Sequence, residues 1–416
     1  MRYRVAFGKK NLSLEIPDER VAGVLAPKSV RETADVGRAV SRSLSRPVAS
    51  PPLAELLRGK RTALIITVDN TRPSPTAMLR PILDVCRRQG VQPSVMIATG
   101  RHRLMTPEEV RTHLGSDLVG QYRITQHDAF DRRRTVRKGT TSRGTAIRVN
   151  RAVFEHDVVI GCGIIEPSYL CGYSGGRKLL MPGLADHRSI DDNHYWLTHP
   201  DAKIGRLGGN PVSDDAAEFA RDLPLHFIVY AVSGPNDEVV KIVSGHPVEA
   251  HERACSLCSK IFRVRLRQAD VVISSAGGHP YDFDLVQAKK AIIPATEAVR
   301  RNGVIILFGA CPDGLGAEPT FIDWLRNKTP AEVIRDVRDR RQFSLGAHGA
   351  NILARPIVEK NARVVLVTSA EVARELKGTY VTALTKASDA WRLANLITGP
   401  ESRVLLIEKA RRLIVG

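Results

Sequence analysis

The sequence predicts an α/β protein of two α/β domains with largely parallel sheets. Three observations carry that expectation. Short apolar, β-branched runs such as TALIITV at residues 62–68 recur along the chain, the pattern of strands buried on both faces. Each run ends in a polar or glycine-bearing loop and is followed by a helix-like segment, the alternation of doubly wound folds. The length of 416 residues suits two or three domains.

The elements follow in order. Residues 3–16 alternate apolar and polar side chains around Lys9-Lys10-Asn11, predicting an opening hairpin. Residues 23–28 read as strand and turn, and 31–44 and 52–59 as helices. The strand at 62–68 delivers Asp69-Asn70-Thr71-Arg72-Pro73 at its C-terminal end, where ligands sit in open α/β sheets. A helix over 76–89 stops at Gly90. The strand at 93–98 delivers Thr99-Gly100-Arg101-His102-Arg103, and a helix starts near Thr106. Residues 121–150 are polar and basic and read as short strands and turns. The strand at 156–160 runs into Gly161-Cys162-Gly163, where glycines permit a tight turn or close approach of a ligand.

Beyond the centre, 211–221 reads as a helix, 225–232 and 239–245 as strands, and 247–262 as a long helix. A new unit begins near Ala269. Its strand at 270–274 runs into SAGGHPYD, and a helix over 283–300 places Gln287 and Lys290 on one face at i, i+3. Strands at 304–308, 362–368 and 402–407 close the pattern. The expected division is an N-terminal domain over 1–266 and a C-terminal α/β domain over 267–399. Residues 400–416 are expected to pack back on the first domain.

Composition narrows the partners. The chain is 43% hydrophobic and 25% charged, which is ordinary for a globular protein. Lys and Arg number 62 against 44 Asp and Glu, a net charge of +18. The cations are spread, no nucleic-acid-binding motif accompanies them, and aromatics are only 5%. An anionic small molecule is therefore expected rather than nucleic acid. No apolar run reaches the roughly 18 residues of a membrane span, and Met1-Arg2-Tyr3-Arg4 opens no signal-peptide core. A cytoplasmic protein with no membrane partner is expected. Six scattered cysteines, with Cys255 and Cys258 as one isolated C-x-x-C, read as reduced thiols rather than a zinc site.

The stretch Gly172-Tyr173-Ser174-Gly175-Gly176-Arg177-Lys178 brings several backbone N–H groups to two cations. That is a cradle for phosphate or another anion. It is not a Walker A loop, because Arg177 precedes Lys178 and Leu179 follows it. The plainer reading is a glycine-rich connection with a solvated Arg-Lys pair.

Taken together, DNTRPSPT (69–76), ATGRHR (98–103), EPSYLCGYSGGRKLLMPGLA (166–185), DNH (192–194) and GGHPYDFDLVQAKK (277–290) resemble one family, the nickel-dependent lactate racemases. The opening YRVAFGKKNLSLEIPDERVAGVLAPK is similar too, so the resemblance spans nearly the whole chain. It implies a nickel-pincer nucleotide, nickel pyridinium-3-thioamide-5-thiocarboxylic acid mononucleotide, tethered covalently at Lys178. It implies His194 as the nickel ligand and an active site in the interdomain cleft. Asp69, Thr71, Gly175, Gly176 and Arg177 fall on the cofactor side. The implied chemistry is racemisation or epimerisation of a 2-hydroxy acid by reversible hydride transfer. His102 removes the hydroxyl proton, and Arg72, Lys290 and Gln287 hold the anionic substrate. Residue chemistry is consistent with each role: lysine forms covalent tethers, imidazole suits nickel, and histidine accepts protons near pH 7.

One departure bears on the outcome. Ser168 stands where the racemases carry a second catalytic histidine. A planar intermediate wants a base on each face, and a serine hydroxyl has no suitable pKa. His279 and His348 are the remaining candidates for that base. Val286 stands where the racemases have tyrosine. A hydroxy-acid oxidoreductase using the same cofactor is the alternative, and a polyanion-binding protein on an inactive scaffold a further one.

Overall fold

A computed structural model describes residues 2–416 as two compact units. One comprises residues 29–261 and the other joins the described residues up to 28 with 262–416.

The unit of residues 29–261 is built on a six-stranded sheet. Its order is Val239–Gly245, Phe227–Ser233, Val158–Ile165, Thr62–Val68, Gln92–Ala98, Arg123–Gln126. Neighbours run parallel except the first pair. The strand Thr62–Val68 forms where its β-branched run predicts, and Ile65 and Ile66 are wholly buried. Helices Val36–Ser45 and Thr76–Arg88 cover one face through Val40, Leu79 and Ile82. Each such aliphatic side chain contributes about 1.5–3 kcal/mol on burial. An exposed ion pair such as Arg80–Asp117 contributes at most about 1 kcal/mol, so the apolar face decides the packing.

The strand at 156–160 proves longer than expected. Gly161, Cys162 and Gly163 do not turn but continue the strand Val158–Ile165, every residue of which is buried. The bare Cα atoms of the two glycines serve packing within the protein. A Cβ on Gly161 would lie 2.8 Å from Leu179 Cδ1, and one on Gly163 3.2 Å from both Tyr230 and Val68. Short antiparallel strands occupy 135–150, as the polar sequence suggests.

The second unit also holds a six-stranded sheet, parallel throughout. Its order is Thr382–Leu384, Arg363–Val367, Val299–Phe308, Ala269–Ser275, Val404–Ile407, Val21–Leu25. The expected hairpin forms from Arg2–Phe7 and Lys10–Glu15. The domain boundaries need correction. Residues 400–416 do not return to the first domain, because Val404–Ile407 is flanked by Ala269–Ser275 and Val21–Leu25. For the same reason the opening residues belong with the C-terminal unit rather than with residues 29–261.

The helix expected over 283–300 is broken into Leu285–Ala288, a 3-10 turn Lys289–Ala291, and Ile292–Ala298. It ends two residues early because Val299 already pairs with Ala269 in the sheet. Helices Pro319–Asn327, Pro330–Asp336 and Ala347–Lys360 add to this core through Phe321, Val333 and Leu353. No helix among the described residues is long and apolar enough to cross a membrane.

Candidate active site

The parallel register sets the first contacts of the site. Val68 lies opposite Ala98, so the two following loops leave the sheet side by side. Asp69 from one meets His102 from the other, with Nδ1 of the ring 2.6 Å from Oδ2. Asp69 Oδ1 accepts from Thr71 N–H at 3.2 Å and its hydroxyl at 2.5 Å. Burial would raise the Asp69 pKa, but the His102 and Thr71 contacts outweigh it and hold the carboxyl below its usual range. Asp69 is buried, whereas the His102 side chain is 58% exposed. With Nδ1–H donated to the carboxylate, Nε2 is left as an accessible proton acceptor.

Arg72 is positioned by two contacts. Its Nε lies 3.1 Å from Glu166 Oε1, and Nη1 donates to the Thr71 carbonyl at 3.0 Å. Glu166 is buried, and a buried carboxylate with a guanidinium partner avoids an uncompensated charge. Glu166 is a residue the sequence reading passed over. It opens the EPSYLCGYSGGRK stretch, and a Glu flanked by apolar residues was the available signal.

The strand Val158–Ile165 ends in a short hairpin, Pro167–Ser168 against Gly172–Tyr173. Ser168 sits there half-buried, its Oγ accepting from Leu170 N–H at 3.4 Å. The hairpin closes through Ser174, whose Oγ accepts from Glu166 N–H and donates to the Ile164 carbonyl. Gly175 and Gly176 both have positive φ, 78° and 57°, the region where glycine is favoured. Their Cβ directions face protein: 2.4 Å from Ile165 Cδ1 for Gly175, 2.8 Å from the His251 ring for Gly176. The glycines thus let the loop press against the core beneath it. His251, another residue missed from the sequence, donates from Nε2 to the Ser174 carbonyl at 3.0 Å.

The 3-10 turn Gly176–Leu179 carries Arg177 and Lys178. Arg177 donates to the Ser213 hydroxyl, so the two cations of the expected cradle are not equivalent. Lys178 is half-buried. Its carbonyl accepts from Gly183 N–H at 3.0 Å, and the Gly183 carbonyl accepts from Gly100 N–H at 3.1 Å. This backbone relay joins the lysine turn to the loop of His102.

His194 lies on the helix His187–Tyr195, capped by Asp186 accepting from Ser189 N–H. The helix is anchored beside His194: Asn193 donates to buried Asp215 at 2.7 Å, which also accepts from Thr141 and Thr145. The imidazole is buried, and among the described residues its Nδ1 has no hydrogen bond of ordinary geometry, although the Ile190 carbonyl one turn back interacts with the ring. Burial, then the charges of Lys178 and Arg101, push its pKa down to about 3. His194 is therefore neutral at pH 7 and offers an unclaimed buried nitrogen close enough to feel the Lys178 ammonium. A neutral imidazole is the form that ligates metal, and an unsatisfied buried polar atom calls for a partner. These residues fit a group that bonds lysine and coordinates histidine. Arg101, unassigned in the sequence, pairs with Asp191 on the same helix.

Gln287 and Lys290 lie in the other unit. The Lys290 ammonium donates to the Gln287 carbonyl oxygen, as their spacing predicts. Asp284 caps that helix by accepting from Gln287 N–H at 2.7 Å.

Comparison with known proteins bears on this arrangement. The lactate racemase N-terminal domain family matches residues 7–205 and the lactate racemase C-terminal domain family residues 264–415. Lactate racemase from Thermoanaerobacterium thermosaccharolyticum is 31% identical over 420 aligned residues, covering 99% of this chain and 98% of that protein. The chain belongs to the lactate racemase family. Lactate racemase from Lactiplantibacillus plantarum is 32% identical, covering 81% of this chain and 79% of that one. The structure of the T. thermosaccharolyticum lactate racemase apoprotein superposes with a TM-score of 0.93 over the full length of both chains. A Thermotoga maritima protein at 20% identity and TM-score 0.67 shares the fold. Membership of the lactate racemase family makes this chain an isomerase of the racemase type.

Proposed function

We propose that this enzyme racemises or epimerises a 2-hydroxy acid, using a nickel-pincer nucleotide tethered at Lys178 and ligated through nickel by His194. The observation that carries the reading is the unpartnered buried Nδ1 of His194 beside the charge of Lys178. When bound, the cofactor supplies a reversible acceptor for hydride from the substrate C2. Thr71 and the Gly175–Gly176 backbone are proposed to contact the nucleotide.

The remaining roles fall to the chain's own residues. His102 takes the substrate hydroxyl proton at Nε2, with Asp69 fixing the ring through Nδ1. Arg72, held by Glu166, presents a guanidinium to the substrate carboxylate. The Gln287–Lys290 pair is proposed to bind the same class of anion.

The test is protein coexpressed with the cofactor-making enzymes. Intact mass should show an adduct that Lys178→Ala abolishes, and metal analysis should show nickel that His194→Ala loses. One enantiomer of each member of a 2-hydroxy acid panel is then incubated in deuterated water. Interconversion with protium retained at C2 supports the proposal; inertness toward the whole panel defeats it.

Ser168 favours one alternative. A hydroxyl at that position leaves His102 as a base on one face only, as suits an oxidoreductase. Stoichiometric 2-keto acid in place of the second enantiomer would identify that activity.

A further inference from the structure

A cavity of about 580 Å³ lies in the unit of residues 29–261, and none of its lining residues belongs to the candidate active site. It opens along the edge strand Val239–Gly245. The two ends of that edge are covered: Thr33 N–H donates to the Val239 carbonyl, and Val48 N–H to the Ser244 carbonyl. The cavity occupies the span between. Its floor is apolar, with Val232, Val240 and Ile242 from the sheet. Arg253, Leu257 and Lys260 line one side from the helix Glu249–Phe262. They stand at i, i+4 and i+7, a single helical face. Arg46 and Lys241 complete the rim.

The rim is one-signed. Arg46, Lys241, Arg253 and Lys260 are exposed at the cavity mouth, and among the described residues none of them makes an ion pair. No carboxylate lines the cavity among those residues. Four unpaired cations around one opening repel one another, and an anion relieves that repulsion. The volume falls within the roughly 300–1,000 Å³ of small-molecule sites, and the apolar floor can take an uncharged ring. A monocarboxylate would balance only one cation. A phosphate ester bearing several charges matches both parts, and two arginines offer paired donors to phosphate oxygens. The hydroxyls of Ser43 and Ser244 bond each other at 2.7 Å, which leaves one hydroxyl proton to donate at the wall.

We propose that this cavity binds a phosphate-bearing small molecule of nucleotide size, independently of the Lys178 loop. The test is calorimetric titration of the full chain at low ionic strength with ADP, pyrophosphate and inorganic phosphate as probes. Three proteins are compared: wild type, Lys178→Ala, and the double variant Arg46→Ala/Arg253→Ala. The changed arginines are exposed, and equal melting temperatures establish that the double variant folds. Saturable ADP binding is expected in wild type and Lys178→Ala, and weaker by about tenfold or more in the double variant. Pyrophosphate should compete, and inorganic phosphate should compete more weakly. The proposal is overturned if wild type shows no saturable binding of any probe, if the double variant binds like wild type, or if Lys178→Ala removes binding. The last of these would assign the nucleotide to the active-site loop and leave the racemase reading intact.

Discussion

Asp69 and His102 stand on neighbouring loops with their side chains 2.6 Å apart, one buried and the other reaching toward solvent. The carboxylate is held below its ordinary pKa by the ring it orients and by Thr71. A buried carboxylate so placed fixes the tautomer of the imidazole it bonds, and the pair forms because parallel strands bring successive loops together.

Replacing Asp69 with Asn keeps the side-chain size and removes the charge. Turnover of the cofactor-loaded enzyme should fall by about 10²–10⁴-fold, while the adduct mass at Lys178 stays unchanged. An Asp69→Asn enzyme with wild-type turnover would show that the carboxylate does not serve His102.

Gly176→Ala places a methyl 2.8 Å from the buried His251 ring, at a φ of +57°. Neither the ring nor the backbone can give freely. A loss of about 1–3 kcal/mol is expected in denaturant unfolding. In the His251→Ala background the same change should cost less, because the opposing ring is gone. Equal cost in both backgrounds would place the strain in the backbone alone.

Asp215→Asn tests the anchor of the helix that bears His194. Asp215 is wholly buried and accepts from Thr141, Thr145 and Asn193. An amide there turns one acceptor into a donor facing a donor. Stability should drop by about 1–3 kcal/mol, and nickel retention after dialysis should fall with it. Unchanged nickel retention in a destabilised variant would separate fold from site.

His251 sets an acid limit on stability. Burial, with the Arg177 and Lys178 charges beside it, lowers its pKa from 6.5 to about 4. The unfolded chain therefore binds a proton that the folded chain refuses between those values. Stability is complete above pH 6.5 and is lost as pH falls through the window to about 4. Unfolding free energies measured across it should slope less in His251→Gln than in wild type, by at most about 1.4 kcal/mol per pH unit. Identical slopes would mean that the ring is not buried neutral.

How much of this was legible depends on where each cause lies in the chain. Thr62–Val68 was readable because seven successive residues carry one signal. Val158–Ile165 was cut short because Gly161 and Gly163 look like punctuation, and only Leu179 and Tyr230 reveal why they are small. Asp69, His102, Lys178 and His194 were singled out through motifs. Glu166, His251 and Asp215 were not, since each matters through a partner distant in sequence. The placement of 400–416 failed likewise: an apolar strand announces itself but not its neighbours.

The interleaved path of the second unit also constrains how the molecule is made. Among the described residues Val21–Leu25 pairs only with Val404–Ile407, and the whole contiguous unit of residues 29–261 lies between them in the chain. Translation proceeds at about 5–20 residues per second and domains fold as they emerge. The early strand must therefore wait on the ribosome without its hydrogen-bonding partner while the intervening unit folds. During that interval it is an unpaired edge that chaperones or a second nascent chain can engage, so the order of synthesis itself sets a window of vulnerability.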